Sequence, residues 1–457
     1  MRSPHDPAHT VGDIPGTVSR RQALARGAAV LALPLAAACA SAGSGGAPAA
    51  APGSEQGRIV HWYTSQFPFD SDLGAQFVTE FRAKYPNIEY VPEVIVGDRF
   101  MKLQAAAAAN AAPDIGMAGS WQMQEFAATG VALAIDTYLK ASKVVKQSDL
   151  WPTHVNDVSY KGKQYAMPFG PDVRVMYAST SVLRSVGLDS AKPAQSWDEL
   201  EEHIRRVYKA DGGKPVTLGF PPFWGTGNQS LWLIPFWQLG GETLNKDGDK
   251  ITINDDKGIQ ALDWLKKLHD IQGGWAAMEA MRMEVNSPVG TGFITGRQGY
   301  AFEAFSSRKE AVFLSAKDLQ FGFTAWPQPK GGKRANYGGC HSFCVTTQSR
   351  SPDAAWRFLE FLSGEDQNLR FAIRYDRIPI RVKTAQSNAF IQNDPFLKLS
   401  VDEMNFRKFN IPAPGGTEIA TLHAAMVNDA MSGKRAVRDA LADGAKQMQQ
   451  VLDKWKR

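Results

Sequence analysis

The sequence predicts an α/β protein in which helices cover a parallel sheet, and three observations carry that expectation. Short β-rich runs alternate with stretches of helical periodicity along most of the chain. A length of 457 residues suits two or three domains better than one. Hydrophobic residues make up 44%, enough for sizeable cores and too many for wholesale disorder.

The first segment reads as an export signal. Ser19-Arg20-Arg21-Gln22-Ala23-Leu24 precedes an apolar run from Ala28 to Leu35, then Ala36-Ala37-Ala38 before Cys39. The arginine pair points to the twin-arginine route. The run is far shorter than the roughly 20 residues that span a bilayer, and no later run reaches that length. Residues 1–38 are therefore assigned as signal peptide. Ser41 to Gln56 is Gly, Ala, Ser and Pro apart from Glu55 and Gln56, a composition that stays flexible, so 39–57 is assigned as a tether.

Folded sequence starts with a strand at Arg58 to Tyr63. Leu73, Phe77, Phe81 and Tyr85 recur every four positions, one face of a helix stopped by Pro86-Asn87. Ile88 to Val91 and Val94 to Val96 read as extended. A second helix runs from about Asp98 to Ala109, followed by a strand at Pro113 to Met117 and a helix from Trp121 to Thr129. Ser196 caps a helix reaching Tyr208. Gly240 to Asn254 reads as a hairpin before a helix around Ile259 to His269. Ser351-Pro352-Asp353 starts the Ala354 to Leu362 helix, and the last helix spaces Val437, Leu441, Met448, Val451, Leu452 and Trp455 along one face.

Charge excludes some partners. The net charge is +5. Four bases (Arg2, Arg20, Arg21, Arg26) and two acids (Asp6, Asp13) precede Cys39, which leaves +3 for the remainder. That is too small over such a length to argue for nucleic acid or a charged membrane surface. The remaining cysteines, Cys340 and Cys344, sit four apart in an extended run, roughly 13 Å between alpha carbons. Disulfide geometry does not reach so far, so both are expected as buried free thiols.

Catalytic and metal motifs are missing. The eight histidines are scattered, with no HExxH, no GxSxG and no paired-cysteine metal spacing. Asn245-Lys246-Asp247-Gly248-Asp249 alternates oxygens as a calcium loop does, but Lys250 stands at the sixth place and no glutamate at the twelfth, so it is expected to be a turn. Two acids placed across a cleft, as in a glycosidase, are not excluded by any spacing, which keeps a carbohydrate-active enzyme as the rival class.

A resemblance then becomes specific. Its marks are Ile59 to Thr64, the helix end Phe81-Arg82-Ala83-Lys84-Tyr85-Pro86-Asn87-Ile88, the Pro113-Asp114-Ile115 strand, and Gly130 to Tyr138 with Leu133 and Asp136. Tyr160 to Pro168, Ser196 to Leu200, Phe293 to Gly299, Ala354 to Leu359 and Arg377 to Arg381 follow in order. Each is weak alone, but together they resemble the family 1 extracellular solute-binding proteins of ABC importers, the group of the maltose and glycerol-3-phosphate binders. The chain departs from that pattern at Tyr177-Ala178, where the family often has Tyr-Asn. It also has Phe305, Ser306 and Ser307 where a tryptophan is common.

The resemblance implies a two-lobed type II periplasmic-binding-protein fold with a ligand cleft and a hinge. Residues 58–168 with 322–366 form lobe 1, and 169–321 with 367–457 form lobe 2. It implies a monomer without cofactor that binds a small solute, carbohydrate ahead of an anion such as a glycerol phosphate ester, and passes it to permease subunits driven by another ATPase. Accordingly, no GxxxxGKS/T phosphate loop is present. The place is the periplasm or the outer face of the cytoplasmic membrane, with Cys39 acylated as in a lipoprotein, although Ala36 stands where the lipobox usually has Leu.

Ligands in open α/β sheets lie beyond the carboxyl ends of strands. With the family pattern, that rule selects Tyr63, Gln66, Ser120, Trp121, Asp172, Arg174, Asn228, Trp232, Glu303, Phe305, Ser306, Gly339, Arg377 and Arg381. Planar hydrogen-bonding groups read hydroxyls while an aromatic ring covers an apolar sugar face. Trp121 and Trp232 are weighed evenly between platform and core, whereas Trp62, Trp197, Trp264 and Trp356 are assigned to packing. Asp114 is expected to hold its own loop, and Asp172 with Arg174 has a simple ion pair as its rival reading.

Overall fold

The computed structural model describes residues 55–64, 69, 71–223, 228–284, 291–309 and 319–455. Cys39, the arginine pair and the tether up to residue 54 lie outside the described residues, as does Gln66.

A five-stranded sheet runs Ile88–Val94, Gly57–Tyr63, Ile115–Gly119, Cys340–Val345, Met167–Pro171 from edge to edge. The first three are parallel, as the alternation of strand and helix predicts. Cys340–Val345 is antiparallel to both neighbours. It is reached from the Phe321–Thr324 strand of a second sheet by way of Asn336–Tyr337, and not from a covering helix, so no crossover forces the parallel direction. That second sheet is a three-stranded antiparallel one, ordered Tyr300–Ala304, Arg174–Ser179, Phe321–Thr324. The Phe321–Thr324 strand thus pairs in the second sheet, although the sequence boundary at 322 assigns it to lobe 1.

Local chemistry explains the helix ends. Ser71 caps the Asp72–Lys84 helix by accepting from Gly74 N, with Asp72 in the first turn and Arg82 and Lys84 in the last. Ser196 and Glu199 form a reciprocal capping box on Trp197–Val207. Between residues 120 and 128 the helix begins as a tight 3-10 turn, Ser120–Gln122, before Met123–Ala128. The hairpin expected over 240–254 narrows to one bridge, Leu244 to Ile251, with Asn245 Oδ1 accepting from Asp249 N and Lys250 N. Asp114 does hold its surroundings, accepting from Val60 N at 2.8 Å and Ser349 Oγ at 2.6 Å. Cys340 and Cys344 are buried and free.

Three main interiors result. The first surrounds His61, whose Nδ1 lies 2.8 Å from Tyr90 Oη amid Tyr63, Phe69, Phe343 and Phe358. Burial lowers its pKa to about 3. The second is built on stacked Trp197 and Trp264, ring centres 3.9 Å apart. Strand alternation separates it from the third: Met176 and Ala178 enter the second interior, Val175 and Tyr177 the third. The chain from Ile378 to Met404 packs on that third face.

Candidate functional site

Three stretches carry the chain between the two sheets and their cores. Asp172-Val173 joins Met167–Pro171 of the first sheet to Arg174–Ser179 of the second. Gly338-Gly339 joins Asn336–Tyr337 to Cys340–Val345. The third follows the Glu365–Tyr375 helix, with Ile378 in one interior and Ile380 in another. The three lie side by side, since Asp172 N donates to Gly339 O at 3.0 Å and Ile378 N to Pro171 O at 3.3 Å. Their approach demands glycine: a Cβ at Gly338 would lie 2.0 Å from the Asp172 carbonyl oxygen.

A cavity of about 430 Å³ opens at these crossings. Asp172, Arg174, Gly339 and Arg377 come from the crossing stretches themselves, with Gly170, Cys340 and His341 beside them on the first sheet. Trp121 and Phe409 form one wall, stacked with ring centres 5.1 Å apart. A Cβ at Gly119 would lie 2.3 Å from the Trp121 ring, so glycine lets that ring fold back over the strand end. Ser230, Tyr337 and Asn410 complete the lining.

Electrostatics divide the site into finished and unfinished parts. Arg174 pairs with Asp172 Oδ2, and its guanidinium lies over the Tyr337 ring, 5.7 Å from the centre. Burial works against the Arg174 charge, but Asp172 and Tyr337 outweigh it and raise the pKa. Among the described residues, Asp172 Oδ1 and Asn410 Oδ1 are buried without a hydrogen-bond partner. Two unsatisfied acceptors on residues that line one cavity suit a ligand rich in donors, because an unpaired buried acceptor costs about 1–3 kcal/mol.

Behind the cavity lies a second pair. Arg407 donates to Gly338 O and to Asp157 Oδ2, which also lies 3.4 Å from Ser120 Oγ and 3.5 Å from His154 Nδ1. Burial alone would raise the Asp157 pKa, yet Arg407 and His154 hold the carboxyl below its ordinary value. Burial, reinforced by Arg407, lowers His154 to about 4.

Of the residues selected from sequence, Trp121, Asp172, Arg174, Gly339 and Arg377 line the cavity. Ser306 stands behind, accepting from Arg377 Nη1 at 3.0 Å, and Ser120 supports Asp157. Glu303 is buried opposite Val175, and its charge helps to raise the Arg174 pKa. The others are placed elsewhere for packing reasons. Tyr63 belongs to the aromatic interior around His61. Phe305 is buried in the third interior, its carbonyl accepting from Tyr177 Oη. Trp232, 0% exposed, donates Nε1 to His423 Nε2 within the second interior. Arg381 clasps Val144 O and Asp149, away from the cavity. The Asn228 side chain lies outside the described residues.

Sequence reasoning missed Tyr337, His341, Phe409 and Asn410. His341 was within reach, being two places beyond the selected Gly339 on the strand that follows it. Phe409-Asn410 offers no motif, since only the pairing of Arg407–Lys408 with Asn336–Tyr337 brings it there.

Comparison with known proteins follows the same lines. The family model for bacterial extracellular solute-binding proteins matches residues 71–369. A protein of Brucella abortus described as a binding protein is 24% identical over 378 residues, covering 82% of this chain and 88% of its own. Among solved structures, a cyclic alpha-maltosyl-1,6-maltose binding protein from Arthrobacter globiformis superposes with TM-score 0.73 at 21% identity, covering 87% of this chain and all of that one. An ABC transporter solute-binding protein from Thermotoga lettingae bound to alpha-D-tagatose gives 0.72 at 18%, covering 86% and 99%. UgpB from Mycobacterium tuberculosis, in complex with glycerophosphocholine, gives 0.70 at 20%, covering 88% and 100%. The fold is therefore that of a type II periplasmic binding protein.

Proposed function

This chain belongs to the bacterial extracellular solute-binding proteins, and on that premise we propose that it captures a small carbohydrate at the three crossings and delivers it to an ABC permease. Its family and fold are those of binding proteins and not of enzymes. The observation that carries the ligand class is the pair of buried, unpartnered acceptors, Asp172 Oδ1 and Asn410 Oδ1, on residues lining a cavity walled by stacked Trp121 and Phe409. A sugar supplies hydroxyl donors for the first and an apolar ring face for the second.

The mechanism follows from the lining. Lobe 1 supplies Trp121 and His341, lobe 2 supplies Tyr337, Phe409 and Asn410, and the crossings act as hinge. The proposed lobes keep the sequence boundaries of 58–168 with 322–366 and 169–321 with 367–457, adjusted so that Met167–Pro171 joins lobe 1 and the stretch 321–337 joins lobe 2. Only a closed arrangement contacts the solute from both sides, so binding shifts the population toward it. The finer placement is also proposed: export by the twin-arginine route, acylation of Cys39, and a monomer tethered at the membrane face. Among the described residues no helix is long and apolar enough to cross a membrane.

A second reading has its own observation. Arg174 and Arg377 both line the cavity, and guanidinium forks suit a phosphodiester. A thermal-shift screen with D-tagatose, maltotriose, mannotriose and glycerophosphocholine decides. Stabilisation by a sugar alone is expected, stabilisation by glycerophosphocholine alone moves the assignment to the anionic class, and turnover of a sugar overturns the carrier reading.

A further inference from the structure

We propose that Glu125 caps the N-terminus of the Gly416–Met431 helix from across the cleft, a contact outside the cavity that draws the two lobes together and so sets solute affinity without touching the solute. The inference rests on the reading that the lobes close on a solute about the three crossings.

The two partners belong to different interiors. Glu125 lies on Met123–Ala128, whose Met123 and Phe126 pack with Ala118 and Cys344 of the first sheet. The Gly416–Met431 helix sends Ile419, Met426 and Val427 into the interior around Trp197. They meet where that helix packs on the Ser120–Gln122 turn. A Cβ at Gly416 would lie 3.0 Å from the Trp121 carbonyl oxygen, so the approach is close, backbone to backbone.

The helix has no means of capping itself. Gly415 holds its N-cap position with no side chain to offer, which leaves the first-turn amides without the acceptor that Ser71 and Ser196 give their helices. A serine or aspartate would not fit there: Gly415 has φ +77°, and a Cβ would lie 2.6 Å from Trp455 Nε1. Glu418, the acid of the first turn, is drawn to Lys454 at 3.2 Å. An acceptor for these amides has to come from another element.

Glu125 has an oxygen to spare. The residue is 8% exposed, its Oε1 accepts from Gln104 Nε2 at 3.3 Å, and its buried Oε2 has no hydrogen-bond partner among the described residues. An acid so buried is destabilising unless positive potential meets it, and a helix N-terminus supplies that potential. Burial raises the Glu125 pKa, the Gln104 side chain and then the Gly415 backbone amide draw it back, and the charge of Glu418 adds to the rise. Opening the cleft would part Glu125 from Gly415 while leaving Gln104, on the Arg99–Ala108 helix, in place. The cap therefore exists only with the lobes together, and its free energy adds to closure.

Small-angle scattering of the ligand-free full chain reads closure without any solute. Glu125→Ala is expected to enlarge the radius of gyration, and Glu125→Gln, which keeps an acceptor oxygen, to return it most of the way to the wild-type value. Gly416→Ala approaches the contact from the other lobe, since its Cβ needs room that the Trp121 carbonyl occupies, and should enlarge the radius as well. A wild-type radius in Glu125→Ala overturns the proposal. An expansion in Glu125→Ala that Gly416→Ala does not share also overturns it, because the fault would then lie inside one lobe. Calorimetry with maltotriose and mannotriose supplies the second readout. Glu125→Ala should weaken uptake of the sugar that binds roughly fivefold, although Glu125 is not part of the cavity lining. Wild-type affinity in that variant counts equally against the cap. Expansion as expected in a protein that takes up neither sugar counts against the solute reading alone.

Discussion

The Asp157–Arg407 and Asp172–Arg174 pairs lie close together behind and within one cavity, and they differ in how fully their oxygens are used. Asp157 Oδ2 takes Arg407, with Ser120 Oγ and His154 nearby, and Arg407 goes on to Gly338 O. Asp172 gives Oδ2 to Arg174 and keeps a buried Oδ1 with no partner among the described residues. Similar chemistry thus serves two ends. The completed pair braces the crossing stretches, and the incomplete one is, in the proposed reading, finished by a ligand. The aromatic interior around Trp197 teaches the same lesson, since Trp197, Trp232 and Trp264 each donate to a protein acceptor, whereas Trp326 Nε1 is buried without one.

Four substitutions sharpen or break that contrast, beginning with the bracing pair. Arg407→Leu leaves a carboxylate buried without its cation and should cost about 3–5 kcal/mol in urea denaturation. The folded-state pKa of Asp157 lies below its unfolded value. The stability contributed by the pair is therefore present above that unfolded value and lost as pH falls through the folded one. The gap between wild type and variant should be widest near pH 7 and close below about pH 4. A gap independent of pH would break the assignment.

Gly338→Ala should cost about 2 kcal/mol, because its Cβ meets a backbone oxygen that only a shift of the crossing stretch can relieve. Small-angle scattering should then show a smaller ligand-induced compaction. Asn410→Leu separates the two kinds of polar group more finely. Sugar affinity should fall about tenfold, while ligand-free stability changes by less than about 0.5 kcal/mol, because the lost acceptor has no partner to abandon. Trp232→Phe is the converse and the smallest effect: about 1 kcal/mol of stability for the bond to His423, with affinity unchanged. Weaker sugar binding in that variant would return Trp232 to the site.

Asp172→Ala needs a particular expectation. As a ligand contact read from sequence, Asp172 is expected on substitution by alanine to lose the ligand-induced shift with the unliganded melting point nearly unchanged. With Arg174 buried against Asp172, alanine should both abolish binding and lower that melting point, so Asp172→Asn is the cleaner probe of the ligand contact.

Much of the fold was legible because its signals are local. The cap at Ser71, the capping box at Ser196 and Glu199, and the periodic faces of Asp72–Lys84 and Val437–Lys454 all declare themselves within a few residues. The lining of the candidate cavity was legible where it follows a strand end or a crossing, as at Trp121, Asp172, Arg174, Gly339 and Arg377. It was illegible where long-range pairing decides. Trp121 and Trp232 carry the same side chain in similar contexts, and only packing sends one to the cavity and the other to His423.

The amino-acid order by itself determined the elements, the α/β class and the region of the cleft, since periodicity, caps and glycines act over short distances. Tertiary structure alone decided which polar atoms were left over. Whether an oxygen such as Asn410 Oδ1 finds a partner depends on groups many residues away, and hydrogen bonding is settled by positions in space.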